Sequence, residues 1–231
     1  TSGTGAHSFV GSASQAIGGT AASVTFPNLT IYNSSATGVT LTKPVSLTNA
    51  LTLTDGNLYS DATNYITMAA GSSVSPIGGS SSSFVDGPIR KTGTTAFVFP
   101  TGEGTKWRRM AIGAPTVLST FEAEYNSSGY GTYTVDPGSG LFHLSILEWW
   151  KLEKIAGGDA SVTLYWEDAS ASGIADCSQL RIAHWCSTCN GGSGWWENNH
   201  ESNTATTGLC TSTNSGTIYT TNNVTSFSPF T

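Results

Sequence analysis

From Val24 to Val74 apolar side chains recur in short alternating pairs: Val24 with Phe26, Leu29 with Ile31, Val39 with Leu41, Val45 with Leu47, Leu51 with Leu53, Ile66 with Met68. Between them stand turn formers, namely Asn33 to Ser35, Asn49, Asp55-Gly56-Asn57 and Ala70-Gly71. A period of two marks strands with one buried face. Strands this short and this often broken cannot each cross a broad sandwich, whereas stacked rungs share one core along a solenoid. The pattern predicts a β-solenoid-like rung stack, and the Ser/Gly-rich run Gly71 to Ser83 reads as the loop that ends it. The short, β-prone segment AHSFVGS, starting at Ala6, lies outside the rungs and is expected to cap the first rung or to pair with a neighbouring copy.

Beyond Phe84 the pattern changes. The stretch Phe84 to Gly102 predicts a hairpin: Asp86-Gly87-Pro88 signals a tight turn, Pro100 stops the strand FVFP, and TGEG makes a second turn. Asp86, Arg90, Lys91 and Glu103 read as turn and rim residues. Next, TFEAEY alternates Phe121, Ala123 and Tyr125 against Thr120, Glu122 and Glu124, and SVTLYWED points Val162, Leu164 and Trp166 inward. Leu180, Ile182 and His184 share one side of a further strand; TIYTT and the terminal VTSFSPF add two more. Leu141 to Ile155 carries helical spacing at Leu144, Leu147 and Lys151, but alternation from Trp149 to Lys154 and the flanking turns PGSG and AGGD favour a strand. The predicted fold class is all-β, an N-terminal β-solenoid-like part over residues 1–83 followed by a β-sandwich over 84–231.

Composition narrows the surroundings. Only 10% of the 231 residues are charged and the formal net charge is −6, so no electrostatic footprint for nucleic acid or an anionic membrane is present. Ser, Thr, Asn and Gly supply the polarity, while 38% hydrophobic and 10% aromatic residues argue for a folded β-rich extracellular chain rather than disorder. No apolar run is long enough to cross a bilayer as a helix. Thr1 reads as the first residue of a processed chain.

Cys177, Cys186, Cys189 and Cys210 cluster in the last quarter. An even count in such a chain points to disulfides, with three pairings open. QLRIAHW and GWWEN predict a hairpin that leaves Cys177 and Cys210 at one end and Cys186 and Cys189 in the turn at the other, which favours Cys177–Cys210 and Cys186–Cys189. The lone CxxC is also compatible with zinc or a redox pair, but zinc needs two further ligands and the second CxxC is missing. No metal and no cofactor is expected.

Catalytic chemistry finds little support. His7, His143, His184 and His200 fall in no metal or triad spacing, and His200-Glu201 lacks the second histidine of a zincin motif. His200 reads as a surface loop residue and His184 as a satisfied core or edge residue. Glu122 with Glu124, and Glu148 with Glu153, read as solvated acids before a glycosidase pair. Lys106, Arg108 and Arg109 beside Trp107 make a small basic rim. The adjacent pairs Trp149-Trp150 and Trp195-Trp196 lie on predicted strands, where pleating sends one ring inward and one outward. An outward ring offers a stacking face for a sugar.

The run LTLTDGNLYSDATNYITM, SSFVDGPIRKTG, FVFPTGEGTKWRRMAI, FEAEY, LEWWKLEKIAGGDASVTLYWED, LRIAHW and VTSFSPFT resembles secreted Bacteroidota surface proteins, adhesin-like and exported by the type IX route with a C-terminal sorting domain. The resemblance spans Leu51 to Thr231; the sorting segment is absent and the clustered cysteines are unusual for the pattern. It implies architecture and an extracellular or outer-surface location, and it brings no catalytic residues. Together these readings predict a non-enzymatic structural protein, a surface adhesin segment or the repeating subunit of a filament-like assembly that contacts copies of itself. The alternative is a carbohydrate-binding module using Trp149, Trp150, Trp195 or Trp196 on a polysaccharide.

Overall fold

The computed structural model describes residues 5–198, 204–227 and 229–231, and it is almost all β. Five successive turns of chain stack as rungs. The first holds β1 (Ala6–Gly11) and β2 (Gln15–Ile17), the second β3 (Val24–Asn33) and β4 (Val39–Leu41), the third β5 (Val45–Asp55) and β6 (Leu58–Tyr59). The fourth holds β7 (Ile66–Met68), β8 (Ser73–Ser75) and β9 (Val85–Asp86), the fifth β10 (Ile89–Gly93), β11 (Phe97–Phe99) and β12 (Thr101–Glu103). Rung on rung, the strands pair in parallel: β1, β3, β5, β7 and β10 in one sheet and β2, β4, β6, β9 and β12 in another.

Parallel register places like side chains above one another, and this is what the short alternating pairs encode. Val24, Val45, Ile66 and Ile89 form one column; Leu29, Leu51 and Val74 form another; Val39, Leu58 and Val85 form a third from the second sheet. Nearly all of these are buried, so each rung covers its apolar face with the next.

Two expectations change here. The stretch Phe84 to Gly102 is not a hairpin: β9 and β10 pair in parallel with β6 and β7, and Asp86-Gly87-Pro88 is a corner between rungs. The Ser/Gly-rich run Gly71 to Ser83 is not a terminal loop but part of a rung, carrying β8, the buried Val74 and the buried Ser83. The expected division at residue 83 thus falls inside the stack, whose rungs run on to Glu103. Lys91, read as a rim residue, is 2% exposed.

The remaining chain is mostly antiparallel. It contains β13 (Lys106–Trp107), β14 (Met110–Ile112), β15 (Ser119–Asn126), β16 (Trp149–Ala156), β17 (Val162–Trp166), β18 (Ala183–Cys186), β19 (Trp195–Asn198), β20 (Thr204–Gly208) and β21 (Gly216–Thr220). Strands β15 and β16 extend the first sheet beyond β10, and β11, β14, β17, β21 and β20 form a sheet of their own. Trp150 of β16 and Leu164, Trp166 and Ile218 of β17 and β21 line one small cavity between the two sheets. The alternation of Phe121, Ala123 and Tyr125, and of Val162, Leu164 and Trp166, faces the core as the sequence predicts. In the ambiguous segment 141–155, only the part from Trp149 onward is strand.

The C-terminus closes the far side of the first sheet. Phe230 exchanges backbone hydrogen bonds with Trp150 of β16, while Thr231 does so with Ala183 of β18. The terminal segment, predicted as a strand, therefore enters as isolated bridges wedged between β16 and the β18–β19 hairpin.

Candidate functional site

The two ends of the rung stack differ. Beyond β10 the first sheet continues through β15, β16 and the C-terminal segment, but at the other end β1 pairs only with β3 and β2 only with β4. Among the described residues no strand covers the outer edge of either. AHSFVGS, read as lying outside the rungs, instead helps form the first rung itself, with Ala6–Gly11 as β1 paired in parallel with β3. Edge strands of stable monomers are blunted by Lys, Pro or bulges. β1, AHSFVG, has none of these, and Val10 with its ladder partner Tyr32 is about half exposed on the adjoining face.

The tryptophans converge on a residue that sequence reasoning overlooked. Trp150 and Trp196 are buried, whereas Trp149 and Trp195 remain partly exposed, as pleating requires. The Tyr130 ring lies edge-on 5.1 Å from Trp149 and 5.3 Å from Trp196, and 5.7 Å from Trp185. Trp196 Nε1 donates to the Thr132 carbonyl at 2.7 Å. No local period reveals this grouping, because Tyr130 sits in a Gly/Ser-rich loop and reaches the tryptophans only through the tertiary fold.

Several candidate catalytic groups, Glu122 and Glu148 first among them, are committed to structural pairs. Glu122 accepts from Arg90 Nε at 2.7 Å and from Lys151 Nζ at 3.0 Å. Burial opposes its ionisation, but the two cations outweigh burial and hold its carboxyl below the ordinary glutamate value. Glu148 is buried between Arg108 Nε at 3.1 Å and the Tyr125 hydroxyl, which donates at 2.8 Å. Burial, then the Glu148 charge, push the Tyr125 phenol far up. Burial likewise raises Glu124 and Asp86, and neighbouring acids add to it.

Two of the three cations of the expected basic rim are also paired with acids. Arg108 turns inward to Glu148, and Arg109 pairs with Glu167 at 2.8 Å while its guanidinium sits between the Trp107 and Tyr165 rings. His143 lines an open depression with Phe142, Asp176 and Arg181. His200 lies outside the described residues.

Both favoured disulfides are present, Cys177–Cys210 and Cys186–Cys189, which places the chain in a non-reducing environment. The hairpin is also as predicted: β18 pairs antiparallel with β19, with Cys186 opposite Trp195 and His184 opposite Glu197. His184 Nδ1 lies 3.4 Å from Glu197 Oε1, and burial lowers the His184 pKa although the carboxylate opposes it. Glu197 Oε2 lies 3.9 Å from Cys189 Sγ.

Comparison with family models, with curated proteins and with solved structures returns no match for the chain.

Proposed function

We propose that this chain is a non-enzymatic structural module of an extracellular surface, joined to neighbouring copies by strand addition at the open edge of β1. The observation that supports this reading is the unblunted first rung: an edge strand free of Lys, Arg, Asp, Glu and Pro, with Val10 and its neighbour Tyr32 exposed. An unpaired row of backbone donors and acceptors is a template for another strand, and apolar neighbours add burial to the hydrogen bonds. A heterologous contact of this kind, repeated without closure, yields filaments, while an edge-to-edge twofold contact yields dimers. The two disulfides, and the acids and arginines held in buried pairs, suit a chain built for rigidity in an oxidising setting.

The test is the mass distribution of the purified chain by light scattering across a concentration series, with negative-stain imaging of the same samples. Concentration-dependent growth that Val10→Lys abolishes supports edge addition, because that change puts a charge on the edge and leaves the core alone. A chain that stays monomeric throughout, or growth unchanged by Val10→Lys, overturns it.

A second reading, binding of a polysaccharide, rests on the partly exposed Trp149, which packs edge-on against Tyr130, and on the partly exposed Trp195. Glycan-array binding lost in Trp149→Ala or Trp195→Ala supports it, and no binding to any glycan ends it.

A further inference from the structure

The two disulfides differ in setting. Cys177–Cys210 joins segments 33 residues apart, and Cys210 is buried in the hydrophobic core. Cys186–Cys189 spans 3 residues, and both of its cysteines are partly exposed at the tip of the β18–β19 hairpin. That hairpin is already held by the ladder from Ala183–Asn198 to Cys186–Trp195 and by the C-terminal segment bonded along β18. Opening the short disulfide therefore leaves its surroundings in place, and access favours its reduction over that of the buried one.

We propose that Cys186 and Cys189, once reduced, form with Glu197 a site for a thiophilic divalent cation such as Zn2+. One ligand atom from each of the three residues lies within 4.8 Å of the others. In the antiparallel register Cys186 and His184 lie two apart on one strand, opposite Trp195 and Glu197 on the other, so all four share a face of the hairpin. Tetrahedral zinc with Zn–S bonds of about 2.3 Å sets its sulfurs about 3.8 Å apart, a separation that two cysteines in a CxxC turn reach once unlinked. The Glu197 carboxylate, 9% exposed, reaches toward Cys189 with one oxygen and toward His184 with the other. That histidine is placed to orient the ligand from behind, as outer partners of metal ligands do. Solvent supplies the remaining position.

The chemistry balances with a dithiol as reductant. It gives two electrons and two protons to the disulfide, becoming a disulfide itself, and the cation then binds both sulfurs as thiolates with release of two protons. The site is thus closed to metal when oxidised and open when reduced.

The experiment uses the full chain, reduced with dithiothreitol, desalted under nitrogen and checked by alkylation and mass mapping for free thiols at Cys186 and Cys189. Titration with Co2+ is expected to give a thiolate-to-cobalt charge-transfer band saturating at one ion per chain and displaced by Zn2+, with the far-ultraviolet circular dichroism unchanged. The oxidised chain and the Cys186→Ser/Cys189→Ser variant are expected to give no band, and Glu197→Gln to weaken Co2+ at least about 10-fold. No band in the reduced chain, a band that survives in the double serine variant, or wild-type affinity in Glu197→Gln overturns the proposal.

Discussion

Lys91 Nζ donates a 2.7 Å hydrogen bond to the carbonyl of Ala69, although its ladder position continues the apolar column of Phe26, Leu47 and Met68. The same ammonium donates to the Ser72 carbonyl at 2.7 Å and to Ser72 Oγ at 2.9 Å. Burial alone lowers the lysine pKa, since a charge in apolar surroundings is costly. Three oxygens from the turn after β7 offset that cost, so the lysine ties the fourth rung to the fifth, flanked in its column by Met68 on one side and Phe121 of β15 on the other.

Lys91→Ala removes both the tether and the stem, leaving a cavity beside Met68. It is expected to lower unfolding stability by about 3 kcal/mol, from combined cavity and lost hydrogen-bond terms. Lys91→Met refills the column but takes the lysine donor from the Ser72 carbonyl, while the Ala69 carbonyl keeps the Ser72 N–H and hydroxyl as donors, and is expected to cost about 1 kcal/mol. Urea denaturation of the two variants measures the order; methionine costing as much as alanine would refute the column account.

That lysine also marks where the sequence stops being readable. Alternation is local, so the inward faces of TFEAEY and SVTLYWED were legible from period two alone. The disulfide pairing was legible because hairpin geometry puts Cys186 and Cys189 in one turn. Parallel register is not local: Asp86-Gly87-Pro88 looks the same whether it turns a hairpin or a rung corner, and only the pairing of β9 with β6 and of β10 with β7, each one rung away, decides. Lys91 looks like a rim charge until the carbonyls of Ala69 and Ser72 are seen beside it. In the candidate site, the outward Trp149 and Trp195 followed from pleating, whereas Tyr130 could not, because its loop has no period.

Gly56 is gripped by both neighbouring rungs. Its φ is +73°, its N–H donates to the Ser82 carbonyl at 2.8 Å, and its own carbonyl accepts from Ser83 Oγ at 2.6 Å. A Cβ there would collide with the backbone carbonyl of Asn33 on the rung below. Gly56→Ala is expected to lose about 3 kcal/mol or more, from left-handed strain plus the clash. Gly104→Ala provides the control: its φ is +62° and a Cβ there meets nothing within 4 Å. It should cost only about 1 kcal/mol. Equal losses in urea denaturation would remove the clash from the explanation.

The two disulfides are expected to contribute unequally. Cys177–Cys210, with a sequence separation of 33, closes a long loop that contains the β18–β19 hairpin, and Cys186–Cys189, with a separation of 3, closes a short one. Loop-closure entropy gives about 4 kcal/mol for the first and about 2 kcal/mol for the second. Cys177→Ser/Cys210→Ser should therefore shift the urea midpoint well beyond Cys186→Ser/Cys189→Ser. The reverse order would mean that the short disulfide carries the hairpin.

Glu122 sets part of the acid limb of stability. Its side chain is 7% exposed and bound by Arg90 and Lys151, and its folded pKa lies below the ordinary glutamate value of 4.5. Unfolded, the group takes up a proton as pH falls through that value; folded, it resists. Its contribution is thus complete above about pH 4.5 and is lost as pH falls through the lower folded value. Because Arg90 and Lys151 are 25% and 28% exposed, water screens the loss on removing their partner. Glu122→Gln is therefore expected to cost about 1–2 kcal/mol at neutral pH rather than the full price of a sealed pair. Asp86 and Glu124 are shifted upward and act in the opposite direction; both remain in the variant, where Asp86 cancels in the difference and Glu124, raised first by burial and in smaller part by the Glu122 charge, is relieved of that smaller part. The gap between wild type and Glu122→Gln should close as pH is lowered from 7 to 3.5 in a urea-denaturation series. A gap that stays constant across that range would show that Glu122 stabilises by packing and not by its charge.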